Sequence, residues 1–418
     1  MGLTMKEKKS VIKVLAPQYQ NSSKKQKQLF LDQFVALTGY NRSYASFLLN
    51  HHGKKSFISS SLSVVADAST SSHRTYKKTY DFKVLAALKK IWIIMDCICG
   101  KRLAPILPEI IPLLELHNEI NLDPLTRQKL FSISSSTIDR LLKDEKRSFG
   151  QSARSKTKPG TLLKNQIPIR TFSDWDEKRP GFVEIDLVAH EGGDPRGDFI
   201  QTLDVTCVAT GWTETQAVQN KAQIWVFNAL KEIRQRLPFK LLGIDSDNGA
   251  EFINAHLLNY CQANEITFTR GRAYRKNDNC FVEQKNYSVV RRAVGYLRYD
   301  TEEELKLLNE LYSQLRLYTN YFQPVMKLIE KEKVGSKVKK KYDEARTPYR
   351  RVLDSEQVSK EEKEQLKKGY ENLNPAWLKR EITRLQQELI EMAEKKRSFR
   401  KSERGGGPEE KKKKAAYK

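Results

Sequence analysis

Cysteine is scarce in this chain. Five residues in 418, irregularly spaced, make no disulfide framework and point to a reducing compartment. Long apolar runs are missing too: none approaches the roughly 18–20 residues needed to span a bilayer. Met1 to Ser10 is polar and lacks the apolar stretch of a secretory leader. There is no Walker loop and no Gly-x-Ser-x-Gly elbow, so neither a P-loop nucleotidase nor a serine hydrolase of that type is expected. Acids are in deficit. Asp plus Glu number 51 against 75 Lys plus Arg, a net charge of +24. Such an excess calls for a polyanionic partner, and without a span or anchor a membrane is disfavoured against nucleic acid. Hydrophobic residues make up 39%, enough for real cores, and the length suits about two to four domains. The expectation is a soluble, cytoplasmic, nucleoid-associated protein.

The charge is unevenly spread. Residues 1–180 carry +16, 181–300 carry −1 and 301–418 carry +9. Within the middle block, 181–269 is −6 and 270–300 is +5. A near-neutral centre holding clustered acids beside a basic strip therefore lies between two basic arms.

Apolar periodicity organises the rest. Residues 28–50 read as two short helices broken at Thr38-Gly39-Tyr40, with helix-turn-helix proportions. Residues 81–117 predict two apolar helices parted near Gly100, and 123–143 a second helix-turn-helix, with Pro124 at a helix start and Ser134 to Ser136 as a cap. From 181 the period becomes two. Strands are expected at Val183–Val188, Phe199–Val208, Trp212–Val218, Leu241–Ile244 and Ile266–Phe268. Helices are expected over 222–237, 248–262 and 280–297. The order β-β-β-α-β-α-β-α predicts a five-stranded α/β core. Residues 301–322 predict a helix and 327–341 are Lys-rich. Residues 376–395 space Leu378, Ile382, Leu385, Leu389 and Met392 as heptads over barely two repeats.

Three carboxylates stand out in the core. Asp186 lies mid-strand, Asp247 follows a buried strand inside Asp245-Ser246-Asp247-Asn248-Gly249, and Glu283 opens the last helix 35 residues further on. Singly, each has an ordinary structural role: a hydrogen-bonded buried Asp, a turn Asp, a helix N-terminal acid. Together they form an oxygen donor set suited to two hard divalent cations, the arrangement that clamps an in-line phosphoryl displacement. Glu184, Asp204 and Asp245 rank below this trio.

The segments Val183-Glu184-Ile185-Asp186, Asp247-Asn248-Gly249-Ala250-Glu251-Phe252 and Asn277-Asp278-Asn279-Cys280-Phe281-Val282-Glu283 resemble the integrase core of retroviral-integrase-like DDE transposases of bacterial insertion sequences. The likeness covers about 181–300. Thr319 to Pro324 and Ala345 to Tyr349 are similar to segments that follow that core. The resemblance implies an RNase H-like mixed sheet flanked by helices, with all-α helix-turn-helix domains before it and a basic, largely helical region after it. It implies metal-dependent cleavage at DNA 3′ ends and strand transfer of a mobile element. Asp186, Asp247 and Glu283 would be both catalytic and metal-holding, with two Mg²⁺ (Mn²⁺ as substitute), Asp186 shared between the ions. The partners implied are DNA, as element ends and target, and further copies of the chain in a dimer or larger synaptic assembly. Where the family has an Arg-rich stretch after the Glu, this chain has Gln284-Lys285-Asn286-Tyr287.

DNA contacts are expected from the basic strip: Arg270, Arg272, Arg275 and Lys276 before Glu283, then Lys285, Asn286 and Arg291 on its helix. In the arms they are expected from Arg42 and Ser43 of the first helix-turn-helix and Thr137 and Arg140 of the second. The domains expected are 1–55 (helix-turn-helix), 56–78 (linker), 79–150 (second helical DNA-binding domain), 151–178 (basic linker), 179–300 (catalytic core), 301–370 (DNA-binding or assembly region), 371–400 (helix, a candidate coiled coil) and 401–418 (low-complexity, disordered tail). His51, His52, His73, Cys97 and Cys99 make a poor zinc set, because Cys-x-Cys falls in an apolar helix. Two other readings remain: a transposase-derived regulator that binds DNA without cutting it, and an RNase H-type nuclease.

Overall fold

Three helices build the first of two compact units, Met1–Thr79. In this computed structural model the described residues are 3–57, 63–65, 79–148, 179–271, 279–334 and 337–405. Thr4 and Glu7 cap α1 (Met5–Asn21) reciprocally, satisfying amides that a helix start leaves open. α2 (Lys24–Thr38) ends at Gly39, whose φ of +68° is the left-handed stop that glycine adopts without strain. The Asn41 side chain then caps α3 (Arg42–His51). Ile12, Ala16, Tyr19, Leu31, Phe34, Ala45 and Leu49 form the core of this unit. Sequence patterning began its reading at 28 and missed α1, whose polar composition hides a narrow stripe of three buried residues. A short antiparallel pair, β1 (Lys55–Phe57) and β2 (Ser63–Val65), follows.

The second unit spans Tyr80–Lys418. It opens with α4 (Phe82–Ile94), α5 (Gly100–Leu116), α6 (Pro124–Phe131), α7 (Ser135–Leu141) and α8 (Lys143–Ser148). Asp81, Asp123 and Ser134 cap α4, α6 and α7. α5 runs unbroken through Pro105, Pro108 and Pro112. Cys97 and Cys99 are not helical, contrary to expectation. Asp96 and Cys97 take φ of 58° and 57° in a tight turn, and Cys99 caps α5. Trp92 Nε1 donates to Ile98 O at 2.9 Å and locks that turn.

The sheet has the order β5-β4-β3-β6-β7. Its strands are β3 (Phe182–Ala189), β4 (Gln201–Cys207), β5 (Thr213–Val218), β6 (Gly243–Ser246) and β7 (Thr267–Arg270). β3, β4 and β5 pair antiparallel, whereas β3–β6 and β6–β7 pair parallel, so the sheet is mixed. α9 (Gln223–Arg236), α10 (Ala255–Ala263) and α13 (Glu302–Phe322) pack against it. α13 also closes one edge. Asn320 takes both backbone groups of Thr213 at 2.8 Å, and Asn309 takes those of Ala217 at 2.9 and 3.1 Å, which blocks β5 from pairing further. Two helices depart from expectation. α10 starts at 255 rather than 248, because residues 247–254 turn about Asp247 and Asn254 supplies the cap. The helix expected over 280–297 is α11 (Cys280–Lys285), a π-helical turn (Asn286–Arg291) and α12 (Arg292–Val294), stopped at Gly295.

Beyond α13 lie β8 (Leu328–Val334) and β9 (Lys337–Tyr342), then α14 (Pro348–Asp354), α15 (Lys360–Glu371) and α16 (Pro375–Gly405). The two strands form an antiparallel ribbon in a segment whose composition marks it only as Lys-rich. α16 buries Leu378, Ile382, Leu385 and Leu389 against α13 and α4. Its polar residues bind on both sides. Lys379 meets Asp96 at 2.7 Å, Arg380 meets Glu119 at 2.7 Å, and Lys396 reaches Asp300 at 2.8 Å and Glu304 at 2.6 Å. No described helix is long and apolar enough to cross a membrane.

Candidate active site

Parallel pairing is what brings two of the carboxylates to one place. Ile185 of β3 stands beside Ser246 of β6. Asp186, within β3, and Asp247, just past the end of β6, are the next residues and so stand side by side near the carboxyl-terminal end of β6, the end of an open α/β sheet where ligands bind. Asp186 Oδ1 accepts from Leu187 N at 2.8 Å and Oδ2 from Asn286 Nδ2 at 2.6 Å. Burial above all, then the Asp247 charge and more weakly that of Glu283, lift the Asp186 carboxyl to about 7. Burial also raises Asp247, against the Gly249 amide that donates to Oδ1 at 2.8 Å. A Cβ on Gly249 would lie 2.6 Å from the Glu251 carboxylate and 2.9 Å from Asp247 Oδ1, so a side chain there would displace those carboxylates.

Glu283 is carried on α11, and Glu184 sets where that helix starts. Its Oε2 accepts from the amides of Phe281 and Val282, both at 2.8 Å. Glu184 is wholly buried, and burial foremost pushes its carboxyl well up. The sequence reading ranked it as a spare ligand. Its observed partners make it the anchor of the Glu283 helix, a role that spacing alone does not reveal across nearly a hundred residues. Asp204 is a second acid of this kind. It is the β4 register partner of Asp186, and Thr206 donates to its Oδ1 at 3.1 Å. Lys285 on α11 is its charge partner, and burial pushes both toward neutrality.

Among the described residues, no three His, Cys, Asp or Glu side chains are placed closely enough to hold a metal ion together. The donor chemistry nonetheless fits a hard divalent cation. Asp186, Asp247 and Glu283 offer carboxylate oxygens, and the Asp186 anion is disfavoured first by burial and then by the neighbouring acids, a penalty that a cation relieves.

No protein-family model matches the chain. A protein of Sinorhizobium fredii (strain NBRC 101917 / NGR234), described as uncharacterized protein y4rM, is 37% identical over 340 residues, covering 81% of this chain and 93% of its own. The chain belongs to the y4rM family. Among solved structures it is similar to the catalytic core domain of BIV integrase (19% identity, TM-score 0.29, 42% of this chain and 95% of that one). It is also similar to the HTLV-2 integrase catalytic core domain in complex with magnesium (13%, TM-score 0.27, 35% and 90%). A third is a simian T-cell lymphotropic virus intasome in complex with PP2A regulatory subunit B56 gamma (13%, TM-score 0.30, 51% and 70%).

The residues expected to touch DNA are placed variously in this y4rM-family chain. Arg272, Arg275 and Lys276 lie outside the described residues. Arg270 is buried, and its Nη1 donates to Asn248 Oδ1 at 2.9 Å. Arg291 Nη2 donates to Ala189 O at 2.8 Å, tying the π-helical turn to the end of β3. Lys285 and Asn286 sit with the acids, as described. In the first unit, Arg42 pairs with Asp32, and the Ser43 amide takes the Asn41 cap at 2.9 Å. On α7, Thr137 is buried and accepts from the exposed Arg140 at 3.1 Å.

Proposed function

We propose that the protein is a metal-dependent polynucleotidyl transferase, a DDE transposase with an RNase H-like catalytic core. The observation that carries this reading is that parallel pairing of β3 with β6 sets Asp186 beside Asp247, with a Glu283 helix anchored by Glu184. Asp186, Asp247 and Glu283 are the proposed catalytic residues and would hold two Mg²⁺, or Mn²⁺ in substitution. Once bound, the ions supply charge neutralisation and Lewis acidity at the scissile phosphate. The chain itself orients the donors. Asn286 and the Leu187 amide hold the Asp186 carboxylate, the Gly249 amide holds that of Asp247, and Glu184 holds α11.

The proposed reaction hydrolyses a phosphodiester at the end of a mobile element and then transfers the freed 3′-hydroxyl to target DNA. One phosphodiester replaces another, so no nucleotide triphosphate is required. α2–α3 and α6–α7 are the proposed helix-turn-helix readers of terminal inverted repeats, and two ends call for a dimer or larger assembly. The protein would act on the nucleoid in the cytoplasm.

The test incubates purified protein with Mg²⁺ or Mn²⁺ and labelled DNA of the element's own ends, wild type beside Asp247→Asn. Metal-dependent 3′-end nicking and strand transfer, lost in the variant while binding persists, is the expected result. Binding without cleavage in either sample would leave the non-catalytic regulator. Cleavage confined to RNA–DNA hybrids would leave the nuclease.

A further inference from the structure

The ribbon β8–β9 sorts its charges by register. Between Leu328 and Tyr342 the chain carries six Lys and two Glu. Glu330 stands opposite Lys341 and Glu332 opposite Lys339, with Lys331 opposite Lys340 between them and Lys333 next along. Register partners in an antiparallel pair share a face, and successive pairs alternate faces. Both acids therefore fall on one face, each across from a lysine, and Lys341 does reach Glu330 at 4.0 Å. The positions of Lys331, Lys333 and Lys340 fall on the other face, which holds no acid. A like-charge pair directly across a ladder is unfavourable unless an anion sits over it.

The root of this ribbon is firmly held. Lys327 N donates to Asp343 Oδ1 at 2.6 Å, Asp343 pairs with Arg351 at 2.7 Å, and Val325 bridges Arg346 through both backbone groups. Lys327 Nζ is committed to Ala209 O at 2.8 Å, in the turn between β4 and β5. The root of the ribbon is thus tied to the β4–β5 turn, at the Phe182 end of β3.

We propose that the face bearing Lys331, Lys333 and Lys340 is a sequence-independent grip on the phosphate backbone of duplex DNA. A two-stranded ribbon has the width to enter a major groove, and backbone contacts position a duplex without reading it. The inference takes DNA as ligand from the function proposed above, but it does not need the carboxylate chemistry.

The test measures binding of the full chain to a short duplex of scrambled sequence, by fluorescence anisotropy in EDTA, across about 50–200 mM salt. Three lysine contacts predict that the triple variant Lys331→Gln/Lys333→Gln/Lys340→Gln lowers the slope of log K against log salt by about 2–3. The control Lys337→Gln/Lys339→Gln/Lys341→Gln removes the same net charge from the acid-paired face and should change the slope much less. The triple Lys→Arg variant at 331, 333 and 340 should keep wild-type binding. If the glutamine triple does not fold, Lys340→Gln alone should lower the slope by about one. Equal losses from the two faces, or no loss from the first, would overturn the proposal. So would tighter binding of an RNA duplex of the same sequence. Because EDTA blocks any metal-dependent cleavage, this assay reads binding alone: the slope change is expected whether or not the Mg²⁺ nicking test above succeeds, and nicking there with no slope change here would remove the ribbon and keep the transferase.

Discussion

His190 is the residue whose surroundings make the clearest demand on pH. It is fully buried, its Nε2 lies 2.7 Å from Thr202 Oγ1, and its ring meets Tyr299 edge-on at 5.4 Å. Burial first, and the Arg291 charge second, hold it down at about 3. An unfolded chain protonates this ring near pH 6.5, whereas the folded chain resists until about 3, so the unfolded state binds more protons in between. Stability contributed here is full above about pH 6.5 and falls by about 1.4 kcal/mol per unit below it. The raised carboxyls of Glu184, Asp186 and Asp204 act with the opposite sign. A comparison therefore isolates the ring: His190→Phe should have a flatter melting temperature than wild type between about pH 6.5 and 4.5. Parallel curves would show that another group carries the acid sensitivity.

At the level of elements, close approach dominates. Gly100 opens α5 against the start of α7, and a Cβ there would sit 2.1 Å from Ser135 O. Gly100→Ala should cost about 1–3 kcal/mol in urea unfolding, as overpacking does. An unchanged midpoint would mean that α7 shifts freely. The elements also explain what could be read in advance. The five sheet strands lie within two residues of the ends expected for them, because alternation and short apolar runs survive in a half-buried or buried strand. β8 and β9 were not legible, since Glu and Lys alternate there with no apolar face to mark a strand. The π-helical turn was not legible either, because local spacing from Cys280 to Leu297 fits an ordinary helix equally well. Spacing named Asp186, Asp247 and Glu283 as candidates. It could not reveal that Asn286 holds Asp186 or that Glu184 caps α11, since those bonds join positions about a hundred residues apart.

At the scale of the whole molecule, the second unit depends on its last helix. α16 completes the core on α13 and α4, and its lysines and arginines neutralise Asp96, Glu119, Asp300 and Glu304. A chain stopped after Asn374 bares that apolar seam and leaves Glu304, which is almost wholly buried, without its cation. Removing one partner of a buried pair costs about 3–5 kcal/mol, before the lost apolar burial is counted. The truncated protein should melt without a cooperative transition and bind an exposed-hydrophobe dye. A sharp transition at the wild-type temperature would show that α16 is dispensable.

That dependence also sets an order of events during synthesis. Glu283 leaves the ribosome roughly 6–24 s before Gly405 at about 5–20 residues per second. Until α16 emerges, α13 lacks the surface it folds against, and the sheet it backs is only partly braced. A nascent or prematurely terminated chain would thus carry every proposed catalytic carboxylate and still have no finished centre, so that translation through α16 becomes a condition for whatever chemistry that centre performs.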